Sequence, residues 1–381
     1  MTGTSDRPQP DKPQPDKPQP DKPQPDRPQP DRPQPDWAVV LAGGVGSRFW
    51  PLSTPARPKQ LLPLVDERPL LAATLDRMAD LVPAERTLIL TNATLVAPIS
   101  AALPGLPSAN LIPEPRPAGT AAALAYAAAE IERRSGSETV MICVHADWAI
   151  ADEPKYRATL ATAALVAREV HGLVTVGIVP TRPDPGFGYI EPGDTVPGTP
   201  AQRVRRFIEK PSRERAAELC ASSCLWNSGI FVWRVGDFLK AIRALTPEVA
   251  AALSEIDGRA DSLERFFAAV KPISVDVGVL ERSESVYVIP GDFGWDDVGT
   301  WASLHRVRPS DGKGNVVSGA AVVCESTNNV IHAEGNAVVL FGVSDLVVVT
   351  RDGLTLVTTR EHSADLKNLI ERLPLEMQAR S

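Results

Sequence analysis

Residues 41–60 carry the densest set of groups able to handle phosphate. Leu41-Ala42-Gly43-Gly44-Val45-Gly46-Ser47-Arg48-Phe49-Trp50-Pro51-Leu52-Ser53 is followed closely by Pro58-Lys59-Gln60. Glycines just past an apolar run let the backbone approach a phosphate chain, with N–H groups turned toward it. Arg48 and Lys59 add two cations for the same polyphosphate. The spacing excludes two commoner phosphate loops. No Gly-Lys-Ser/Thr follows, so this is not a Walker loop. Gly-Gly-x-Gly with an Arg two residues on is not the dinucleotide fingerprint either. Further along, Asp147 follows the apolar run Thr139–Val144. A carboxylate there holds Mg²⁺ with bound phosphates, or else caps the next helix. Glu209 and Lys210 close the segment Arg203–Glu209. They suit sugar hydroxyls and a sugar phosphate, or else form a surface ion pair. Asn227 offers both donor and acceptor to a hydroxyl, or shapes a turn. Tyr189, beside Gly188, lines a pocket or packs.

These residues need a scaffold, and the pattern around them supplies one. Trp37–Ala42, Thr87–Thr91, Thr139–Val144 and Leu173–Val179 are short apolar runs that read as buried strands. Between them, Pro69–Leu81, Gly119–Arg134 and Glu153–Val170 carry helical spacing. The alternation predicts a Rossmann-like α/β fold, a mostly parallel sheet with helices on both faces. Ligands in such sheets bind beyond the carboxyl ends of the strands. After about Asn315 the pattern changes to short strands and turns: Gly319–Cys324, Ala337–Leu340 and Leu346–Thr350, with Asn-Asn, Glu-Gly and Asp-Gly breaks. A last helix is expected over Ala364–Leu373. The division predicted is a tail over 1–36, a catalytic domain over 37–310 and a small β-rich domain over 311–381.

The tail repeats Pro-Gln-Pro-Asp-Lys/Arg from Pro8 to Asp36 and has no aliphatic or aromatic side chain after Met1. It has nothing to bury, and its prolines favour extended polyproline II. Seven Asp against six Lys/Arg leave it nearly neutral, so it is no basic nucleic-acid arm. It lacks the apolar centre of a signal peptide. A solvated spacer is the expected role. Over all 381 residues the net charge is −7, which gives no nucleic-acid footprint. No apolar stretch reaches the roughly 18 residues a membrane helix needs. Cys143, Cys220, Cys224 and Cys324 are too sparsely spaced for a zinc knuckle, and reduced thiols in a cytoplasmic protein are expected.

The opening segment, Leu-Ala-Gly-Gly-x-Gly-x-Arg-Phe-Trp-Pro-Leu-Ser with Pro-Lys-Gln, resembles the signature of mannose-1-phosphate guanylyltransferases. Seven more motifs of that family stand in order. They are Glu114-Pro115 with Gly119-Thr120-Ala121, Ala146-Asp147, Gly188-Tyr189-Ile190, Phe207-Ile208-Glu209-Lys210-Pro211, Trp226-Asn227-Ser228-Gly229, Ser274-Val275-Asp276, and Gly291 through Trp301. The likeness spans Trp37 to about Leu369. It implies a short left-handed β-helix after the catalytic domain. It also implies catalytic Arg48, Lys59 and Lys210, and nucleotide contacts from Leu41, Ala42, Gly43, Gly44, Gly46, Ser47, Gly119 and Thr120. Gly188, Tyr189, Glu209 and Asn227 would bind the sugar, and Asp147 with Asp297 would hold Mg²⁺. Asp296 is expected to be solvated or to stabilise the turn.

The chain departs from the family at three points. His145-Ala146-Asp147-Trp148 stands for Pro-Ala-Asp-His. Ala118-Gly119-Thr120-Ala121-Ala122 stands for Arg-Asn-Thr-Ala-Pro, and Val-Gly-Val follows Asp276 in place of Tyr-Ala-Val. The implied reaction joins GTP and mannose 1-phosphate to give GDP-mannose and pyrophosphate. Its nucleophile is already an anion, so no Ser-His-Asp set is needed. Two alternatives stand beside it: the same fold acting on another sugar 1-phosphate and nucleoside triphosphate, or a non-catalytic GDP-mannose-binding paralogue. No cupin-like sequence follows the β segment, so a fused isomerase is not expected. A homodimer is one open assembly.

Overall fold

The computed structural model describes residues 1–3, 35–44, 46–374 and 376–377. The repeat tail expected as a spacer lies almost wholly outside them. Asp36, read above as the tail's last residue, already belongs to the fold. Its backbone N–H donates to Val140 O, and its carboxylate accepts from Val140 N and from Arg168 Nη2 at 2.8 Å each.

In chain order the strands are β1 (Trp37–Leu41), β2 (Thr87–Asn92), β3 (Leu111–Glu114), β4 (Val140–His145), β5 (Ala149–Ile150), β6 (Leu173–Ile178), β7 (Tyr189–Thr195) and β8 (Gln202–Ile208). They continue as β9 (Leu225–Arg234), β10 (Val286–Gly291), β11 (Trp295–Asp296), β12 (Val316–Cys324), β13 (Val330–Phe341), β14 (Leu346–Arg351) and β15 (Leu354–Thr359). Nine of them form one sheet in the order β3-β2-β1-β4-β9-β6-β10-β8-β7. The β3-β2-β1-β4 half is parallel throughout, as is the β6–β10 pair. β9 runs antiparallel to both β4 and β6 through the middle of the sheet.

Alternation along β1 explains the layers. Ala38 and Val40 face one way, packing with Leu71 and Met78 of the helix Leu70–Ala79 and with Tyr156 and Leu160 of Glu153–Val170. Trp37 and Val39 face the other way, toward Leu124 and Ile131 of the helix Thr120–Ser135 and Phe238 of Val235–Leu245. A strand covered by helices on both faces must be apolar at every position, which is how WAVVL reads.

After the large sheet, β12, β13 and β14 stack in parallel and β15 closes them antiparallel. This β-helix-like coil is not an isolated appendage. Val316, Val330, Val347 and Val349 share one buried cluster with Phe49, Trp50 and Leu52 of the glycine-rich segment and with Trp301. Trp301 Nε1 donates to Trp50 O at 3.0 Å, and Arg351 Nη1 donates to Leu52 O at 2.7 Å. The expected last helix is shorter than its pattern, a 3₁₀ turn over His362–Ala364 and then Leu366–Ile370.

Candidate active site

Four parallel strands deliver their carboxyl ends to one place. Leu41 of β1 pairs with Leu90 and His145, and Asn92 pairs with Glu114. A cavity of about 330 Å³ opens there, lined by Leu41, Ala42, Gly43, Gly44, Gly119, Thr120 and Asp147 among others. Ala42 fixes how the chain leaves the sheet. Its N–H donates to Leu90 O, and its carbonyl accepts from Gln60 Nε2 at 2.5 Å and Thr91 Oγ1 at 3.0 Å. A side chain on Gly44 would meet nothing within 4 Å, so its backbone faces open space. Gly46 sits at φ 73° and ψ 44°, the left-handed region, and starts the 3₁₀ turn Ser47–Phe49. Gly119, at φ 81°, lets the chain pass Ile273 and aims the helix Thr120–Ser135 at the cavity.

Lys59 is the hub. It is 5% exposed, and its ammonium donates to Asp147 Oδ2 and to the Asp297 carbonyl, both at 2.8 Å. Three segments distant in sequence therefore meet at one nitrogen. Burial alone would push the Asp147 carboxyl up, but Lys59 and His145 outweigh it and hold the group below its ordinary value. Asp297 goes the other way. Burial raises it, the neighbouring Asp296 and Asp147 carboxylates add to the rise, and Lys59 and Arg306 oppose. The helix after Asp147 is capped by Asp152, whose Oδ1 accepts from Lys155 N at 2.9 Å. The capping alternative for Asp147 therefore falls.

A second cavity of about 640 Å³ adjoins the first, and His145 lines both. Its walls hold Arg48, Gly188, Glu209, Lys210, Asn227, Asp276 and Asp297. Glu209 and Lys210 pair at 3.1 Å on the exposed end of β8. Gly188 leaves room for Glu209, whose Oε2 would lie 2.7 Å from a Cβ there. Asn227 Nδ2 donates to Asp276 Oδ1 at 2.7 Å, which fixes the amide's orientation. Phe187, Trp148 and Trp295 make an aromatic wall, with Phe187–Trp295 centroids 5.4 Å apart and Trp148–Trp295 5.9 Å. Such a wall offers apolar faces to a ring that carries hydroxyls at its edge.

Not every expected residue reaches a cavity. Tyr189 is fully buried, and its hydroxyl bonds the backbone of Asp184. It latches the loop before β7 instead of facing the second cavity. Gly46 and Ser47 line neither cavity: Gly46 abuts the Lys59 side chain, and Ser47 O accepts from Trp50 N at 3.0 Å. Asp296 is not solvated. It is 6% exposed and grips Arg306 through two bonds of 2.6 and 2.9 Å, while its Oδ1 also accepts from Val298 N. Sequence reading gave no role to Glu114, Asp276 or Arg306. Glu114 and Asp276 stood within recognised motifs, but Arg306 had no local signal.

For a metal, the donor chemistry fits. Burial leads the rise at Asp297, the nearby Asp147 carboxylate adds to it, and Asp147 Oδ1 is not used by Lys59. Among the described residues no group of three or more His, Cys, Asp or Glu side chains could hold an ion. Two protein carboxylates with substrate oxygens completing the shell is the Mg²⁺ pattern.

A glycine-lined cavity at parallel strand ends, abutting a polar one across a Lys–Asp hub, defines a nucleotidyl transferase. The profile described as nucleotidyl transferase matches residues 37–314, and that described as MannoseP isomerase/GMP-like beta-helix domain matches residues 319–373. The chain belongs to the mannose-1-phosphate guanylyltransferase family of nucleotidyl transferases. A mannose-1-phosphate guanylyltransferase of Escherichia coli is 38% identical over 88% of this chain and 73% of that protein. The xanthan biosynthesis protein XanB of Xanthomonas campestris is 36% identical over 88% and 72%. A Thermus thermophilus crystal structure, described as a mannose-1-phosphate geranyltransferase, superposes with a TM-score of 0.82. It has 35% identity, covering 90% of this chain and 99% of that one. Among the described residues no helix is long and apolar enough to cross a membrane.

Proposed function

We propose that this protein transfers GMP from GTP to mannose 1-phosphate, releasing pyrophosphate and forming GDP-mannose. The observation that carries this is the Lys59–Asp147–Asp297 hub, placed where the glycine-lined cavity meets the sugar-sized one. The nucleotide occupies the first cavity, its phosphates along Gly43 and Gly44. The sugar phosphate occupies the second, with Glu209 and Asn227 at its hydroxyls and Lys210 and Arg48 at its phosphate. A phosphate oxygen of mannose 1-phosphate attacks the α-phosphorus as the bond to the β-phosphate oxygen breaks, and the electron pair leaves with pyrophosphate. No proton has to be removed from the nucleophile, so the chain's task is positioning and neutralisation. Lys59 approaches the α-phosphate while holding Asp147 in place. Mg²⁺, held by Asp147 and Asp297, would supply charge neutralisation between the two substrates' phosphates. The four cysteines are free thiols.

Pyrophosphate release tests the reading. GTP with mannose 1-phosphate should give the highest kcat/KM among pairs drawn from GTP, UTP and dTTP with mannose or glucose 1-phosphate. A higher value for dTTP or UTP with glucose 1-phosphate would move the assignment to another branch. No turnover with any pair would leave a binding protein.

A further inference from the structure

We propose that Arg306, gripped by Asp296, is the positioning residue that aims the Asp297 carboxylate at the metal. This rests on the GTP and Mg²⁺ reading above and adds what holds one of the two metal carboxylates in place. The Asp297 backbone is fixed, because its carbonyl accepts from Lys59 Nζ at 2.8 Å. Its carboxylate is held differently. Among the described residues it accepts no hydrogen bond, and Arg306 is the one cation within 4 Å of it, with Nη2 3.9 Å from Oδ1. Gly299 leaves the space that Oδ2 occupies, since a Cβ there would overlap it. Open room on one side and a positive charge on the other set the direction of this carboxylate. At 3.9 Å the guanidinium attracts without forming a hydrogen bond, so both oxygens keep their lone pairs for a metal.

Arg306 is itself tightly placed. It sits in the short helix Leu304–Val307, just after the turn Trp301–Ser303, whose buried Trp301 donates to Trp50 O. Its guanidinium donates through Nε and Nη2 to the two Asp296 oxygens at 2.6 and 2.9 Å, a forked pairing that fixes direction as well as distance. The paired charges add little net field, so the clamp steers Asp297 without repelling a divalent cation. Arg182, the other cation near Asp296 at 3.9 Å, is committed to Asp184 through bonds of 2.8 and 3.1 Å. The backbone on the far side of Asp297 is strained. Val298 is fully buried at φ 46°, in the left-handed region, which a β-branched residue enters only when its surroundings force it. The forcing group is again Asp296, whose Oδ1 accepts from Val298 N at 2.9 Å. One carboxylate thus locks both the residue after Asp297 and the arginine beside it. A plain surface ion pair would explain neither the buried aspartate nor the strained turn.

Arg306→Gln combined with Asp296→Asn leaves the net charge of the site unchanged and keeps an acceptor for Val298 N, so it removes the clamp alone. The Mg²⁺ concentration for half-maximal rate should rise by roughly 10–100-fold, with a fall in kcat, while the KM for mannose 1-phosphate stays within about threefold. Half-saturation is a concentration, so a partly unfolded preparation does not distort it. A second readout needs no turnover: the gain in Tm when Mg²⁺ is added to the GTP complex should shrink in the variant at fixed concentrations. A raised KM for mannose 1-phosphate with an unchanged Mg²⁺ titration would overturn the proposal, because Arg306 would then touch the substrate. So would a lowered Tm with both Mg²⁺ readouts unchanged, the mark of a merely structural pair. Asp297→Asn separates the clamp from the metal reading, which fails if both Mg²⁺ readouts stay unchanged in that variant. Losses in kcat that do not multiply when Arg306→Gln and Asp297→Asn are combined would still support Arg306 acting through Asp297, and losses that multiply would overturn it. If wild-type enzyme forms no GDP-mannose, the Tm readout alone decides the clamp.

Discussion

Replacing Gly46 by alanine should disable catalysis through a residue the new methyl group pushes, not through anything it binds. Two costs follow from the structure. The left-handed backbone at φ 73° penalises an L side chain by roughly 1–2 kcal/mol. The methyl would also overlap Lys59 Cβ and lie 3.2 Å from both Cγ and Cδ. Lys59 Cβ is held by the buried turn Lys59–Leu61, so it cannot swing aside as a side-chain tip would. Relief takes a backbone shift on the order of 1 Å and costs about 1–3 kcal/mol more. The ammonium then loses its two 2.8 Å bonds to Asp147 and Asp297. A displacement of that size at a charge-neutralising group lowers kcat by about 10²-fold. Lys59→Ala, which removes the charge outright, should lower it by roughly 10²–10³. The assay is pyrophosphate release at saturating substrates, run well below each variant's Tm. If Gly46 acts through Lys59, the double variant should turn over no more slowly than Lys59→Ala alone. Full multiplication of the two losses would refute the route, as would normal kcat in Gly46→Ala with only a lowered Tm.

Asp147→Asn and Asp297→Asn should each raise the Mg²⁺ concentration for half-maximal rate and lower kcat, and their combination should lose less than the product. An unchanged Mg²⁺ titration in either would remove that residue from the metal. Arg48→Ala, at an exposed cation on the second cavity, should slow turnover by roughly 10²–10³ without lowering Tm; near-normal turnover would take it out of the mechanism. For Glu114, folding raises the carboxyl from 4.5 to about 7, so its contribution to stability is present below pH 4.5 and is lost as pH climbs through 7. Glu114→Gln should gain stability over wild type across that window, by at most about 3 kcal/mol, seen as a Tm difference that widens from pH 4.5 to 8. A flat difference would contradict the burial argument. Removing residues 1–34 should leave kcat intact, whereas removing Asp36 as well should lower Tm, because Val140 N and Arg168 lose its carboxylate; lost activity in the shorter deletion would refute the spacer reading.

The parts of this molecule that were legible in its sequence are those decided by neighbours in the chain. The helix Glu153–Val170 carries its own apolar stripe, and Asp152 stands ready as its cap. The glycine-rich loop announces itself because left-handed and closely approached backbone admits few other residues. β9 was harder. Its apolar run marks a strand, but the direction in which it inserts between β4 and β6 depends on pairings 48 and more residues away. Charged pairs escaped for a related reason. Asp296 and Arg306 lie ten apart and share no helix, so the turn that Asp296 stabilises through Val298 N was legible while its grip on Arg306 was not. Tyr189 shows the limit of a motif. Its neighbour Gly188 lines the cavity while its own ring turns inward to hold Asp184.

The cluster that joins Phe49, Trp50 and Leu52 to the parallel coil has a bearing on how such proteins can be recombined. The glycine-rich loop is anchored on one side by the large sheet and on the other by β14 through Arg351, while Trp301 donates to Trp50 O. Each half thus supplies one wall of the same mould. Chimaeras that exchange the coil between relatives would inherit a loop cast against foreign side chains. Their turnover should track how well residues 316, 330, 347 and 349 match in volume, more than overall likeness of the exchanged parts. The coil is then best treated as cargo that cannot be swapped without its berth.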